Sequence, residues 1–173
     1  MCIRDSAATM ERIAPAGQSR MVATQPKPAP EPTVAAAKDV RPAADTGGIV
    51  HTIKMLNSGK NGSMVFEPGF VRAQPGDTVV FEPVEQPHNT KSVLVPDGAM
   101  EWQGDMNERI ELTLNEEGIY IYLCEPHLAL AMAGVIQVGD AVNLDAAKAK
   151  AEELNATFAM GKDRLPGYLE MIQ

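Results

Sequence analysis

The chain has 173 residues, 45% of them hydrophobic and 22% charged, with a formal net charge of −8. That is enough apolar material for one domain with a core and some chain left over, while the acidic balance excludes nucleic acid as the main partner, because phosphate recognition wants a basic face. The longest apolar run, Leu128 to Ile136, is nine residues, against the roughly 20 a membrane helix needs, so no transmembrane segment is expected in this sequence.

Residues 1–48 hold six of the thirteen prolines, among many alanines and almost no aromatic or large aliphatic residues. Such a stretch buries too little apolar surface to offset the entropy of ordering it. It reads as a disordered Pro/Ala-rich tail or linker, partly polyproline-like. Met1–Ser6 gives no physical signal and is set aside. No apolar signal core precedes the tail, so any export signal or anchor is expected to be missing from this sequence. Of the two cysteines, Cys2 falls in the tail, which leaves Cys124 unpaired and no disulfide framework.

From residue 49 to 173 the composition is that of a folded domain. Short β-type runs alternate with turn chemistry. The predicted strands are Ile49–Leu56, Met64–Phe66, Phe70–Ala73, Thr78–Glu82, Lys91–Leu94, Arg109–Leu114, Ile119–Cys124 and Gly134–Val138. Between them lie Asn61-Gly62, Pro75-Gly76-Asp77, Asp97-Gly98 and Asn115 to Gly118. In the sixth run Ile110, Leu112 and Leu114 share one face and Glu111 and Thr113 the other, the period of a half-buried strand. Eight short strands at this spacing predict an all-β sandwich or barrel. The period then changes. Asn143 or Asp145 is placed to cap a helix running to about Met160, with Gly161 as its stop. Ala147, Ala151, Leu154 and Phe158 make its apolar stripe. A shorter helical piece is expected around Leu165–Ile172, interrupted at Pro166-Gly167.

Chemistry concentrates in one segment, Cys124-Glu-Pro-His127-Leu-Ala-Leu-Ala-Met132. A cysteine at a strand end precedes a histidine by three residues, and a methionine follows five later. His88, in Pro87-His88-Asn89, lies upstream after the Thr78–Glu82 strand. The set offers one thiolate, two imidazoles and one thioether. Soft sulfur stabilises Cu(I), and imidazole suits both copper oxidation states. Two histidines and a cysteine in a plane with a weak axial methionine compromise between the geometries the two states prefer. Zinc fits less well, because it recruits cysteine, histidine or carboxylate rather than thioether. The third histidine, His51, reads as a solvated or hydrogen-bonded structural residue.

The stretch from Lys54-Met-Leu-Asn57 to Gly139-Asp140 resembles the pseudoazurins, small type 1 blue copper proteins of the cupredoxin family. The matching pieces are Met64-Val-Phe-Glu-Pro68, Pro75-Gly-Asp-Thr78, His88-Asn89 and Cys124-x-Pro-His127-x4-Met132. The resemblance implies a cupredoxin-like Greek-key β-sandwich of about eight strands with C-terminal α-helices, and one copper per chain cycling between Cu(I) and Cu(II). It implies that Cys124, His88, His127 and Met132 are the ligands, with Met132 axial and His127 the electron port. It gives Asn89 the task of tying the His88 loop to the Cys124 loop, and puts Met64 and Pro126 beside His127 as shields. It further implies a periplasmic single-electron carrier rather than an enzyme, monomeric. The acceptor would be a reductase such as copper nitrite reductase or nitrous oxide reductase, and the donor cytochrome c or similar. A copper-trafficking module remains the alternative reading.

Two departures stand out. Pseudoazurins often ring the exposed histidine with lysines, but from residue 49 on six Lys and three Arg face eighteen Asp and Glu. An acidic carrier is steered toward a basic or mainly apolar partner. Leu123 and Leu128, flanking the copper loop, are expected to widen such an apolar patch. Glu125, beside the ligand cysteine, is expected to favour Cu(II) and lower the reduction potential.

Overall fold

Two-residue alternation bounded by turns builds the architecture. The computed structural model describes residues 47–173, so the expected tail lies outside the described residues apart from Gly47 and Gly48, as does Cys2. Eight strands form: β1 (Val50–Gly59), β2 (Gly62–Glu67), β3 (Phe70–Ala73), β4 (Asp77–Pro83), β5 (Lys91–Leu94), β6 (Ile110–Leu114), β7 (Gly118–Leu123) and β8 (Ala133–Val138). They make two four-stranded sheets, ordered β2-β1-β4-β6 and β3-β8-β7-β5. Strands β1 and β4 pair parallel, as do β3 and β8; the other pairs are antiparallel. This is the eight-stranded sandwich with C-terminal helices that the sequence predicts.

The core has two layers. Between the sheets, Ile53, Met55, Val79, Phe81, Tyr122, Ile136 and Val138 are fully buried together with Cys124 and Met132. Tyr122 meets Phe66 and Phe81 edge-on, with ring centroids 4.8 and 4.9 Å apart, the geometry aromatic quadrupoles favour. Tyr122 also demands Gly134 on β8, since a Cβ there would lie 2.3 Å from the tyrosine oxygen. On the other face of the second sheet, Ile119, Ile121, Leu123 and Val135 pack under the helices. Every residue of β7 and β8 is therefore buried, which is why both strands read as continuous apolar runs rather than alternating ones. Burying each such side chain stabilises by about 1.5–3 kcal/mol.

The helices are α1 (Leu144–Thr157) and α2 (Arg164–Leu169). The predicted stripe Ala147, Ala151, Leu154 and Phe158 is buried as expected. The ends differ from expectation. Asn143 sits at the α1 N-cap position but makes no cap bond; its amide instead brackets Ile119, accepting from Ile119 N at 2.6 Å and donating to Ile119 O at 2.9 Å. Asp145 falls inside the first turn. At the other end Phe158 is already extended, with φ −75° and ψ 130°. The helix stops there because the next two amides are taken: Ala159 N and Met160 N both donate to Ala129 O, at 2.8 and 3.2 Å. Gly161 belongs to the α1–α2 loop, not to a helix cap. Pro166 does not interrupt α2. It lies in the first turn, where its missing N–H has no helical partner to lose.

His51 is a structural residue. Its Nε2 lies 2.8 Å from Asp77 Oδ2, and Asp77 also accepts from Ile49 N and Gln74 N at 2.8 and 2.9 Å. Burial pushes the Asp77 carboxyl up, but these hydrogen bonds outweigh it and hold the group below the usual carboxylate range.

Candidate metal centre

Strand β7 ends at Leu123, and Cys124 turns out of it into a 3-10 segment, Glu125–Leu130. Pro126 occupies its first turn, and a kink at His127 (φ −113°, ψ 21°) breaks its regularity. The segment closes on itself. Cys124 N donates to Met132 O at 2.9 Å, Met132 N to His127 O at 3.3 Å and His127 N to Cys124 O at 3.2 Å. The other histidine comes from the β4–β5 connection. Asn107, with a left-handed φ of 61°, grips the His88 backbone on both sides: its Oδ1 accepts from His88 N at 3.0 Å and its N donates to His88 O at 2.6 Å.

These two loops bring three donor atoms together. Cys124 Sγ lies 3.8 Å from His88 Nδ1 and 3.4 Å from His127 Nδ1, and the two ring nitrogens are 3.2 Å apart. A point equidistant from the three lies about 2 Å from each, the length of a metal–imidazole bond. Among the described residues this is the cluster of His, Cys, Asp and Glu side chains with metal-binding geometry. Cys124 and His88 are fully buried, His127 half-buried. Met132 is fully buried in the same core cluster as Cys124, with its backbone fixed by the bonds just described. The donor set fits a soft-to-borderline transition metal held by nitrogen and sulfur.

Without a metal both donors favour their neutral forms. Burial lowers the proton affinity of His88, the nearby His127 adds to this, and Glu85 opposes it. Burial pushes the Cys124 thiol up, the backbone N–H groups of Asn89 and His127 pull it back, and Glu125 pushes it up. A metal held here would displace the thiol proton, and the same two N–H groups would then serve the thiolate.

Asn89 bridges the loops. Its Oδ1 accepts from Glu125 N at 2.9 Å, and its Nδ2 donates to Glu125 Oε2 at 2.8 Å. Lys91 Nζ donates to the other carboxylate oxygen at 3.1 Å, and Gln103 Nε2 approaches Oε2 at 3.4 Å. The Asn89 bond foremost, then Lys91, holds the Glu125 carboxyl below its ordinary range against a burial penalty. Glu125 is thus a charge paired across the site rather than a lone surface charge. Pro126 is exposed next to His127, while Met64 is half-buried and packs on the cluster that contains Cys124 and Met132.

The expected role of Leu123 in an outer apolar patch fails. Leu123 is 4% exposed and points under the helices, because it is the last residue of β7 and pairs with Ala133 on the helix-covered face. Leu128 is half-buried against the same layer. Three supporting residues, Asn107, Lys91 and Arg164, stand outside the ligand motif. Only Asn107 left a trace, in the turn-prone Asp105-Met106-Asn107 and in the tolerance of asparagine for a left-handed backbone.

Comparison with known proteins agrees with this geometry. The family described as copper binding proteins, plastocyanin/azurin family, matches residues 53–139. Pseudoazurin of Paracoccus pantotrophus is 44% identical over 117 residues, covering 66% of this chain and 81% of that protein. The crystal structure of native pseudoazurin from Hyphomicrobium denitrificans superposes with a TM-score of 0.63 at 35% identity, over 72% of this chain and 98% of that one. The pseudoazurin structure from Methylobacterium extorquens AM1 gives a TM-score of 0.57 at 35% identity, over 64% and 97%.

Proposed function

The chain belongs to the plastocyanin/azurin family of copper-binding proteins, with copper as its cofactor, and from that premise we propose that it is a periplasmic single-electron carrier with one type 1 copper centre. Cys124, His88 and His127 would hold the copper, with Met132 supplying a weaker thioether donor. The observation that carries this reading is the triangle of one sulfur and two ring nitrogens with sides of 3.4, 3.8 and 3.2 Å.

When bound, copper supplies a one-electron couple between Cu(I) and Cu(II). The chain's part is to keep the donors still while the charge changes. Asn107 fixes the His88 backbone, Asn89 locks the two loops at fixed separation, and the Cys124–Met132 backbone bond closes the ligand loop. Cys124, His88 and Met132 are shielded from water, while the half-buried His127 lies nearest solvent and offers the exit for the electron. Little nuclear rearrangement then accompanies transfer. Because the donors are enclosed, a trafficking role, which needs ready surrender of the metal, is disfavoured. The protein acts as a carrier and not as an enzyme, because four protein donors leave no open position for a substrate.

The docking face around His127 includes exposed Pro126, Ala129 and Met160, the last 59% exposed. With a net −9 from residue 49 on, the carrier is steered toward a partner with a basic rim or an apolar patch. A copper nitrite reductase or nitrous oxide reductase is the proposed acceptor and a c-type cytochrome the proposed donor. The carrier works as a monomer, and the 1–48 segment is proposed as a spacer that tethers it near its partner.

Stopped-flow reduction of a copper nitrite reductase by the Cu(I) protein, followed across ionic strength, tests this. Fast transfer that slows with added salt is expected for an acidic carrier on a basic rim. A protein that binds copper but exchanges electrons with no such reductase, and yields its metal to a mild chelator, belongs to the trafficking class instead.

A further inference from the structure

Arg164, the first residue of α2, makes no carboxylate pair among the described residues. All five of its hydrogen bonds go to backbone carbonyls. Nη1 donates to Met64 O at 2.9 Å, Ala131 O at 2.7 Å and Leu130 O at 3.3 Å. Nη2 donates to Ser63 O at 3.2 Å and Asn61 O at 3.3 Å. One guanidinium thus joins two segments far apart in the chain, the β1–β2 turn with the start of β2, and the end of the 124–132 loop.

The two shortest of these bonds fall on residues of one unusual kind. Met64 and Ala131 have left-handed backbones, with φ of 49° and 55°, a conformation that is unfavourable for a residue carrying a Cβ. Neither is glycine, asparagine or aspartate, so something outside the residue has to hold each in place. Arg164 binds the carbonyl of both. The neighbouring Ala159 and Met160 amides hold Ala129 O as well, so three consecutive carbonyls of the loop, 129 to 131, are engaged by the segment 159–164. The residue that follows is Met132.

We propose that Arg164 is a positioning residue for the copper centre: its forked guanidinium pins Met64 and Ala131 in their left-handed conformations and so sets where Met132, the residue that follows, stands. This rests on the reading of Met132 as the axial ligand. A lysine cannot substitute, because a single ammonium does not span both segments with the geometry of a planar fork. A plain staple between α2 and the sandwich would lower stability alone. A positioning residue changes the centre as well.

The test uses Arg164→Lys and Arg164→Gln in the full chain. In the metal-free protein, amide exchange at Ala131 and Met132 is expected to speed up by about tenfold relative to core amides such as Val79. In the copper-loaded protein, the ratio of the visible charge-transfer bands changes, and the reduction potential of Arg164→Lys, which keeps the charge, shifts because the thioether contact tunes it. Wild-type exchange, spectrum and potential in Arg164→Lys overturn the proposal, as does a loss of thermal stability with those readouts unmoved. Should Arg164→Gln fail to fold, Arg164→Lys decides alone. A wild-type protein without a type 1 spectrum defeats the reading of the centre instead, and the exchange measurement then decides the clamp without copper.

Discussion

The two ligand-bearing loops are held in opposite ways. His88 stands on a connection that another inter-strand loop secures: Asn107, between β5 and β6, brackets its backbone, and the ring is fully buried. The Cys124–Met132 loop is anchored at its first residue by β7, but its middle is held from outside, by Asn89 at Glu125 and by the C-terminal segment 159–164 at Ala129 to Ala131. The lesson is that one half of the site is a property of the β-sandwich and its inter-strand loops, while the other half depends also on helices packed behind them. Damage to the sheets should remove the fold and site together. Damage to the helices should disturb the site before the fold is lost.

The largest expected effect is on neither scaffold. Cys124→Ser removes the sulfur donor and abolishes the intense visible absorption of the copper protein, with near-native far-ultraviolet circular dichroism because the side chain is close in volume. Retained colour would place the thiolate elsewhere. Next comes Leu165→Ala, under α2. Leu165 is fully buried, so truncation costs about 2–5 kcal/mol in denaturant unfolding. It also broadens the copper spectrum at denaturant concentrations where the sandwich is still folded. Simultaneous loss of spectrum and fold would show that the helices and the sheets form one unit, and the contrast between the loops would dissolve.

Asp77→Asn probes the sheet side. The folded carboxyl titrates below its unfolded value of about 3.9, so its stabilisation is present above that pH and is lost as pH falls through the lower, folded value. The variant is expected to be less stable by about 1–2 kcal/mol at neutral pH and to show a flatter acid limb below about pH 4. Its copper spectrum at pH 7 stays unchanged. An acid limb like that of the wild type would remove Asp77 from the pH dependence. Smallest is Glu125→Gln. Removing this anion raises the reduction potential by up to roughly 40 mV, about 1 kcal/mol for one electron, less any screening by Lys91, 3.1 Å away. Protein-film voltammetry giving an unchanged or lower potential would contradict the idea.

Much of this was legible in the residues. Eight strands were readable because turn residues such as Pro75-Gly76-Asp77 and Asn61-Gly62 punctuate apolar runs, and β6 shows its alternation openly. Strands β7 and β8 are harder to orient, since burial on both faces erases the period, and nothing local in the run tells which face Leu123 takes. The three clustered donors could be picked out because sulfur and imidazole spacing is local in Cys124-x-x-His127, with His88 as the upstream partner. What supports them was not legible. Asn143 looked like a helix cap but bonds to Ile119 across space. Arg164 looked like an ordinary helix residue, and its acceptors are backbone carbonyls, which leave no mark in side-chain patterns. The end of α1 is not readable locally, because Ala159 and Met160 donate their amides to Ala129 O, a contact about thirty residues away in sequence.

The most direct test of the copper centre is an electron paramagnetic resonance and visible absorption measurement on the oxidised, copper-loaded protein. An intense thiolate-to-copper band with narrow hyperfine splitting, bleached reversibly by ascorbate, is the predicted result. A colourless protein, or one with the wide splitting of ordinary tetragonal Cu(II), would contradict convergence of Cys124, His88 and His127 on a single ion.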